Sequence, residues 1–241
     1  PAGRPYTMKI LTIDTSFRPG LIGFVDDDRV VFEKHTAQNT THSEQLFTVL
    51  EEGLSLTGWL RADFQAIVAG VGPGSFTGLR IGLAAAKGLC MGWDIPLVGI
   101  SSLEALAKNV PAKQDVIVVP MIDAARGEVY VNACDLKSHE CLLSERALPP
   151  DILCDKLLEM AQGRQLHLIG DGAVRYQNLF TERLGQQLSL GSSDQHVIHA
   201  SSMASLALAK LTQGVDELIS LAPRYIRPSD AERKYDEKNC P

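Results

Sequence analysis

Long apolar runs are missing from this sequence. None reaches the ~18 residues that a membrane-spanning helix requires, so no span is expected. Basic runs are missing as well. With 23 Lys and Arg against 29 Asp and Glu, the net charge is −6. A protein that grips nucleic acid alone carries a basic footprint, so contact with RNA is expected only through a complex. Cysteine is scarce: Cys90, Cys134, Cys141, Cys154 and Cys240 make an odd count with no C-x-x-C spacing. That excludes a disulfide framework or a zinc ribbon and leaves reduced thiols, as in cytoplasmic proteins. Six histidines include no pair at helical i, i+4 metal spacing, and His196 and His199 stand three apart in a segment with no helical pattern. No metal is expected. Residues 1–7 lack a signal-peptide core and read as a cloning remnant before a native start at Met8.

What is present is an ordinary globular composition: 45% hydrophobic and 22% charged over 241 residues. "MKILTID", "LIGFVDD" and "RVVFEKHT" read as an antiparallel meander with an acidic turn at Asp27–Asp28. Thr41 and Glu44 form a T-x-x-E capping box for a helix reaching about Thr57. "FQAIVAGVG" is apolar throughout, as a central parallel strand should be, and a glycine-rich loop leads from it into a helix ending near Trp93. "IPLVGIS" and "SLEALAKNV" follow as strand and helix.

The pattern then restarts. "DVIVVPMID" ends in Asp123 as the first strand ends in Asp14, and "GEVYVNACDL" follows across a turn at Ala125–Gly127. A strand near Cys141–Arg146, a helix over 151–161, the strand "LHLIGDG", a helix over 173–184 and a last helix over 201–213 complete the order. The repetition implies an α/β chain of actin-like, ribonuclease-H-like architecture: two subdomains with mixed sheets flanked by helices. Residues 8–105, joined by a C-terminal helix over 201–222, form the first subdomain. Residues 106–200 form the second, and 228–241 form a tail.

The glycine loop fails three catalytic templates. Gly72 to Gly78 has no lysine for a Walker A loop, its G-x-G-x-x-x-G spacing is one residue too long for a dinucleotide fold, and Pro73 breaks a G-x-S-x-G elbow. What remains is a helix capped by Ser75 with a Gly78–Gly82–Ala86 stripe, read as a docking element. Asp14, Thr15, Ser16, Gly72, Gly74, Ser75, Asp123 and Gly172 are candidates for a vestigial anion or nucleotide site. Two other readings stand beside it: an autonomous actin-like ATPase or kinase, and a metal-dependent nuclease built on Asp14, Asp123 and Asp171.

The ordered set "ILTIDTS", "THSEQL", "GVGPGSFTGLRIGLAAAKGL", "PLVGISSLEALA", "MIDAARGEVY" and "PRYIR" resembles the TsaB (YeaZ) family, from Met8 to about Arg227. The resemblance implies a cytoplasmic, non-catalytic subunit in making threonylcarbamoyladenosine in tRNA. It implies a heterodimer with TsaD, the ATPase TsaE joining through that complex, and a homodimer when isolated. It implies no resident cofactor beyond weak ATP or ADP binding at a subunit junction. TsaD-like chains carry a metal-binding histidine pair that falls here on Ser102 and Leu106, so that metal site is read as lost and no catalytic residue is assigned. Two helices of the family's first subdomain pair with two of the partner. Leu46, Phe47, Leu50, Leu54, Phe76, Leu79, Leu83 and Lys87 are the implied interface. "FRPG" after Ser16 departs from the family's smooth second strand, which weakens a phosphate-hairpin role for Asp14–Ser16.

Overall fold

In the computed structural model, the described residues are 8–36, 42–112, 115–212 and 218–227. The chain opens with the meander β1 (Lys9–Asp14), β2 (Leu21–Asp26) and β3 (Arg29–His35). Asp27 turns the second hairpin at φ 56°, a left-handed conformation that Asp tolerates. Then come α1 (His42–Thr57), β4 (Ala66–Gly72), α2 (Phe76–Trp93), β5 (Leu97–Ser101) and α3 (Ser102–Ala107). The Thr41–Glu44 capping box falls outside the described residues. The second round is β6 (Ile117–Asp123), β7 (Val129–Asp135), β8 (Cys141–Leu148), α4 (Pro150–Ala161), β9 (Leu166–Ile169), α5 (Asp171–Arg175), α6 (Gln177–Leu184) and β10 (Leu188–Leu190). The helix α7 (Ala200–Leu211) closes the order.

Among the described residues the strands make two five-stranded sheets, β3-β2-β1-β4-β5 and β10-β9-β6-β7-β8. Read from the opposite edge, the second repeats the first strand for strand. In each, the opening strand pairs antiparallel with the next (β1 with β2, β6 with β7) and parallel with the strand after a helix (β1 with β4, β6 with β9). The restart seen in the sequence is therefore a repeated topology.

The layers follow from where apolar side chains point. Leu46, Val49 and Leu50 of α1 and Leu83, Ala86 and Cys90 of α2 pack on the outer face of the first sheet with Leu11, Ile13, Ile22 and Phe24. Leu153 and Leu157 of α4, Ala173 of α5 and Phe180 of α6 cover the outer face of the second with Val119, Met121 and Val131. Between the sheets lie α3 and α7. One continuous core joins Ile10 and Val98 of the first sheet, Leu103 and Leu106 of α3, Met203 and Ala207 of α7, and Val118, Ile122 and Tyr130 of the second.

Three boundaries differ from the sequence reading. The expected helix over 173–184 is two helices, because Tyr176 sits at φ −107° and ψ 20° between α5 and α6. The three residues of β10 add an edge strand that lacked enough length to show a period. The C-terminal helix expected to reach residue 222 stops at Leu211. Residues 218–220 form a turn, and 221–225 are irregular chain.

Candidate functional site

The twin topology leaves a cleft where β1 and β6 end beside each other's lobes. It holds about 400 Å³ and is lined by Ser16, Arg18, Gly74, Ser75 and Phe76 from one lobe and by Asp123, Ala124, Tyr130 and Asp171 from the other, with Arg227 arriving from the C-terminal segment. Of the candidate anion residues, Ser16, Gly74, Ser75 and Asp123 line it. Asp14, Thr15, Gly72 and Gly172 do not, because each is turned into its own lobe.

Asp14 shows why. The Ser16 amide donates to its Oδ1 at 2.7 Å, and the Ser102 hydroxyl donates to its Oδ2 at 2.8 Å. The carboxylate lies against the backbone of Gly70, where a Cβ would overlap it. Burial holds its carboxyl above the ordinary range, and the hydrogen bonds from Ser16 and Ser102 pull the other way. Among the described residues Asp14, Asp123 and Asp171 do not gather into a metal-ligating group. Asp123 is instead paired with Arg175 at 2.7 Å, and the Asp123 amide donates to Asp171 Oδ1 at 2.9 Å. Burial, with the Asp123 charge adding to it, pushes Asp171 up to about 6.

The glycine loop is filled from within. The Ser75 amide donates to the Ser16 carbonyl at 2.5 Å, and Ser75 Oγ caps α2 by accepting from the Gly78 amide at 3.2 Å. Thr15 Oγ1 donates to the Gly78 carbonyl at 2.6 Å. A Cβ on Gly74 would overlap the Ser16 backbone, and one on Gly78 would overlap the Thr15 carbonyl. The Gly78–Gly82–Ala86 stripe, read from sequence as a docking element, is buried: its glycines admit Thr15 of the same chain.

The implied interface divides in the same way. Leu46, Leu50, Leu79 and Leu83 are at most 5% exposed, turned into the chain's own core, and that corrects their reading as partner contacts. Leu54 is half-buried in the outer core. Phe76 stacks on Tyr225 at 4.6 Å between ring centroids, and Lys87 Nζ donates to the Ile219 carbonyl at 3.1 Å. Both therefore hold the C-terminal segment. Phe47, at 50% exposure, points to solvent. Met91, Leu56 and Leu60 are exposed near it in sequence or on α2, and apolar periodicity did not single them out.

On α3, Ser102 and Leu106 are fully buried, the first bonded to Asp14 and the second packed in the central core. His196 and His199 diverge: the Gly170 amide donates to His196 Nδ1 at 3.1 Å, while His199 meets Glu33. Sequence reasoning missed Arg227 as a cleft residue. Its guanidinium donates to Glu128 at 2.6 Å and to the Ala124 carbonyl at 3.0 Å, and its Nε is buried with no hydrogen-bond partner among the described residues. The "PRYIR" stretch was the signal, and nothing local said which lobe it would cross to.

Comparison with known proteins fits this geometry. The TsaB protein of Bacillus subtilis, named for tRNA threonylcarbamoyladenosine biosynthesis, is 32% identical over 233 residues, 95% of this chain and 99% of that one. The chain belongs to the TsaB family. The Escherichia coli TsaB protein is 27% identical, covering 96% of this chain and 100% of its own. Residues 34–234 also match the family model of TsaD, described as tRNA N6-adenosine threonylcarbamoyltransferase. Among solved structures, YeaZ from Pseudomonas aeruginosa superposes with a TM-score of 0.71 at 26% identity, covering 90% of this chain and 99% of that one. The ethanolamine utilization protein EutJ of Carboxydothermus hydrogenoformans reaches 0.51 at 11% identity and shares the fold alone. The architecture of this TsaB-family chain is actin-like, with two mixed sheets flanked by helices. No helix among its described residues is long and apolar enough to cross a membrane.

Proposed function

We propose that the chain serves tRNA threonylcarbamoyladenosine modification in the cytoplasm as the non-catalytic partner of a TsaD-type transferase subunit. Helix α3 carries the reading. At the positions where the family resemblance puts a metal-binding histidine pair, Ser102 is committed to Asp14 and Leu106 is fully buried. Neither could present an imidazole to a metal without repacking the central core.

The docking face is the outer surface of α1 and α2. Phe47 and Met91 are 50% and 74% exposed, and no described residue outside α2 lies within 4 Å of where a Cβ on Gly88 or Gly92 would stand, so another backbone could come close there. Large apolar side chains of this kind dominate interfaces when buried. The isolated chain would use the same face to form a homodimer, and TsaE and tRNA would join through the complex. Weak ATP or ADP binding belongs at the subunit junction.

The test is capture of this chain by a tagged TsaD-type subunit, followed by the modification assay. Phe47→Glu and Met91→Glu should each reduce capture by about tenfold or more while leaving the circular dichroism unchanged. Full capture and full modification by both variants would remove the face from consideration. Calorimetry with Mg-ATP on the isolated chain separates this reading from an autonomous ATPase, which requires tight binding without a partner.

A further inference from the structure

Glu33 and His35 lie two residues apart on β3, so the strand period puts them on one face. His199 stands immediately before α7, where the chain returns from the second lobe to the first. Each of the three offers one donor atom, and those atoms lie within 4.8 Å of one another. All three side chains are half-buried, and the two rings meet edge to face at 5.8 Å.

The main chain already holds one polar atom of each of them. His35 Nε2 lies 2.8 Å from the Ile198 carbonyl, and His199 Nε2 lies 2.9 Å from the Asp194 carbonyl. A carbonyl only accepts, so each Nε2 carries a hydrogen and each neutral ring keeps its lone pair on Nδ1. The Asp194 carboxylate, 3.3 Å from His199 Nε2, reinforces that arrangement. The Ala200 amide donates to Glu33 Oε2 at 2.7 Å, which leaves Oε1 facing His199 Nδ1 at 2.8 Å. Metal-bound histidines have this kind of support: the non-ligating N–H is tied to a carbonyl or carboxylate, which sets both tautomer and ring plane.

We propose that Glu33 Oε1, His35 Nδ1 and His199 Nδ1 form a binding site for a divalent transition metal of the zinc class. Two imidazoles and one carboxylate suit such an ion, and a water completes the set. Ligands around tetrahedral zinc stand roughly 3.4 Å apart, so a small inward rotation of the rings closes the group. The incoming cation displaces the proton that His199 shares with Glu33, and that proton goes to solvent. The bound ion ties the edge strand of the first sheet to the start of α7 and so secures the crossover between lobes.

The full chain, stripped with a chelator, is titrated with Zn²⁺ by calorimetry and with Co²⁺ by visible absorption. One equivalent should bind, Co²⁺ should show the ligand-field bands of a low-coordinate site, and excess Zn²⁺ should raise the melting temperature. His35→Gln keeps a donor for the Ile198 carbonyl and so preserves the fold. It should weaken Zn²⁺ by about tenfold or more and abolish the thermal shift. Glu33→Gln should weaken it similarly, with circular dichroism reporting whether α7 keeps its start. Wild-type affinity weaker than about 100 μM, or binding that is unchanged in His35→Gln, would overturn the site.

Discussion

Asp171 shows most directly how one residue's surroundings govern its chemistry. It lines the cleft half-buried beside the charge of Asp123, and its pKa stands at about 6 instead of the ordinary 3.8. The folded chain therefore resists ionising this group more than the unfolded chain does. Below about pH 4 both states hold the proton and the residue is neutral to stability. Between about pH 4 and 6 the unfolded state loses the proton first, so stability falls as pH rises, and above 6 the full penalty remains. Asn at this position keeps an oxygen to accept the Asp123 amide and carries no charge. Urea unfolding of Asp171→Asn beside the wild type should show equal stability near pH 4. A gap in favour of the variant should open by pH 6, on the order of 1–2 kcal/mol after allowance for partial exposure. A gap that does not change with pH would assign the effect to packing. In the sequence Asp171 was legible as a strand-end aspartate. Its pairing with Asp123 was not, because Asp123 ends β6 while Asp171 opens α5 just past β9, and only the parallel pairing of β6 with β9 brings the two together.

At the scale of elements, the strands and most helices were legible because their periods are strong. Faces were not. α1 and α2 each carry an apolar stripe, and an amphipathic stripe looks the same whether it meets the chain's own sheet or another molecule. The ambiguity resolves only in three dimensions: Leu83 sits 4% exposed against the first sheet, while Met91 is 74% exposed two turns later. Thermal melts of the isolated chain should separate them. Leu83→Glu buries a charge with no partner and should cost several kcal/mol, enough to unfold a typical domain, whereas Met91→Glu should stay within about 0.5 kcal/mol of wild type. Equal losses would mean that the exposed face of α2 is already covered in the free chain. The glycine stripe misled for a related reason. Small residues at four-residue spacing predict a close approach, and here the approaching backbone is Thr15, far away in sequence but bonded to Gly78.

At the scale of the molecule, the C-terminal segment runs over both lobes. Leu221 reaches Gly99, the Arg224 amide donates to the Val71 carbonyl at 2.8 Å, Tyr225 stacks on Phe76, and Arg227 crosses to Glu128 and the Ala124 carbonyl. Arg227→Ala should release that crossing. Hydrogen exchange should quicken by about tenfold or more in residues 124–128, with little change in β4 or α2. Quickened exchange throughout the second sheet would mean that the arginine supports the lobe itself. The repeated sheets made this scale the most legible one from sequence. The shared middle layer was less so, because α3 and α7 belong to both lobes at once.

The carbonyl of Ser16 seated on the amide of Ser75 makes the chain its own ligand. An anion arriving at the start of α2 does not meet an empty receptor. It meets a tethered competitor held in place by β1, by Asp14 and by the close fit at Gly74. An occupant fixed in this way acts at an effective concentration of roughly millimolar or above. A free phosphate group must outbid it before gaining any contact of its own, however many glycines the loop contains.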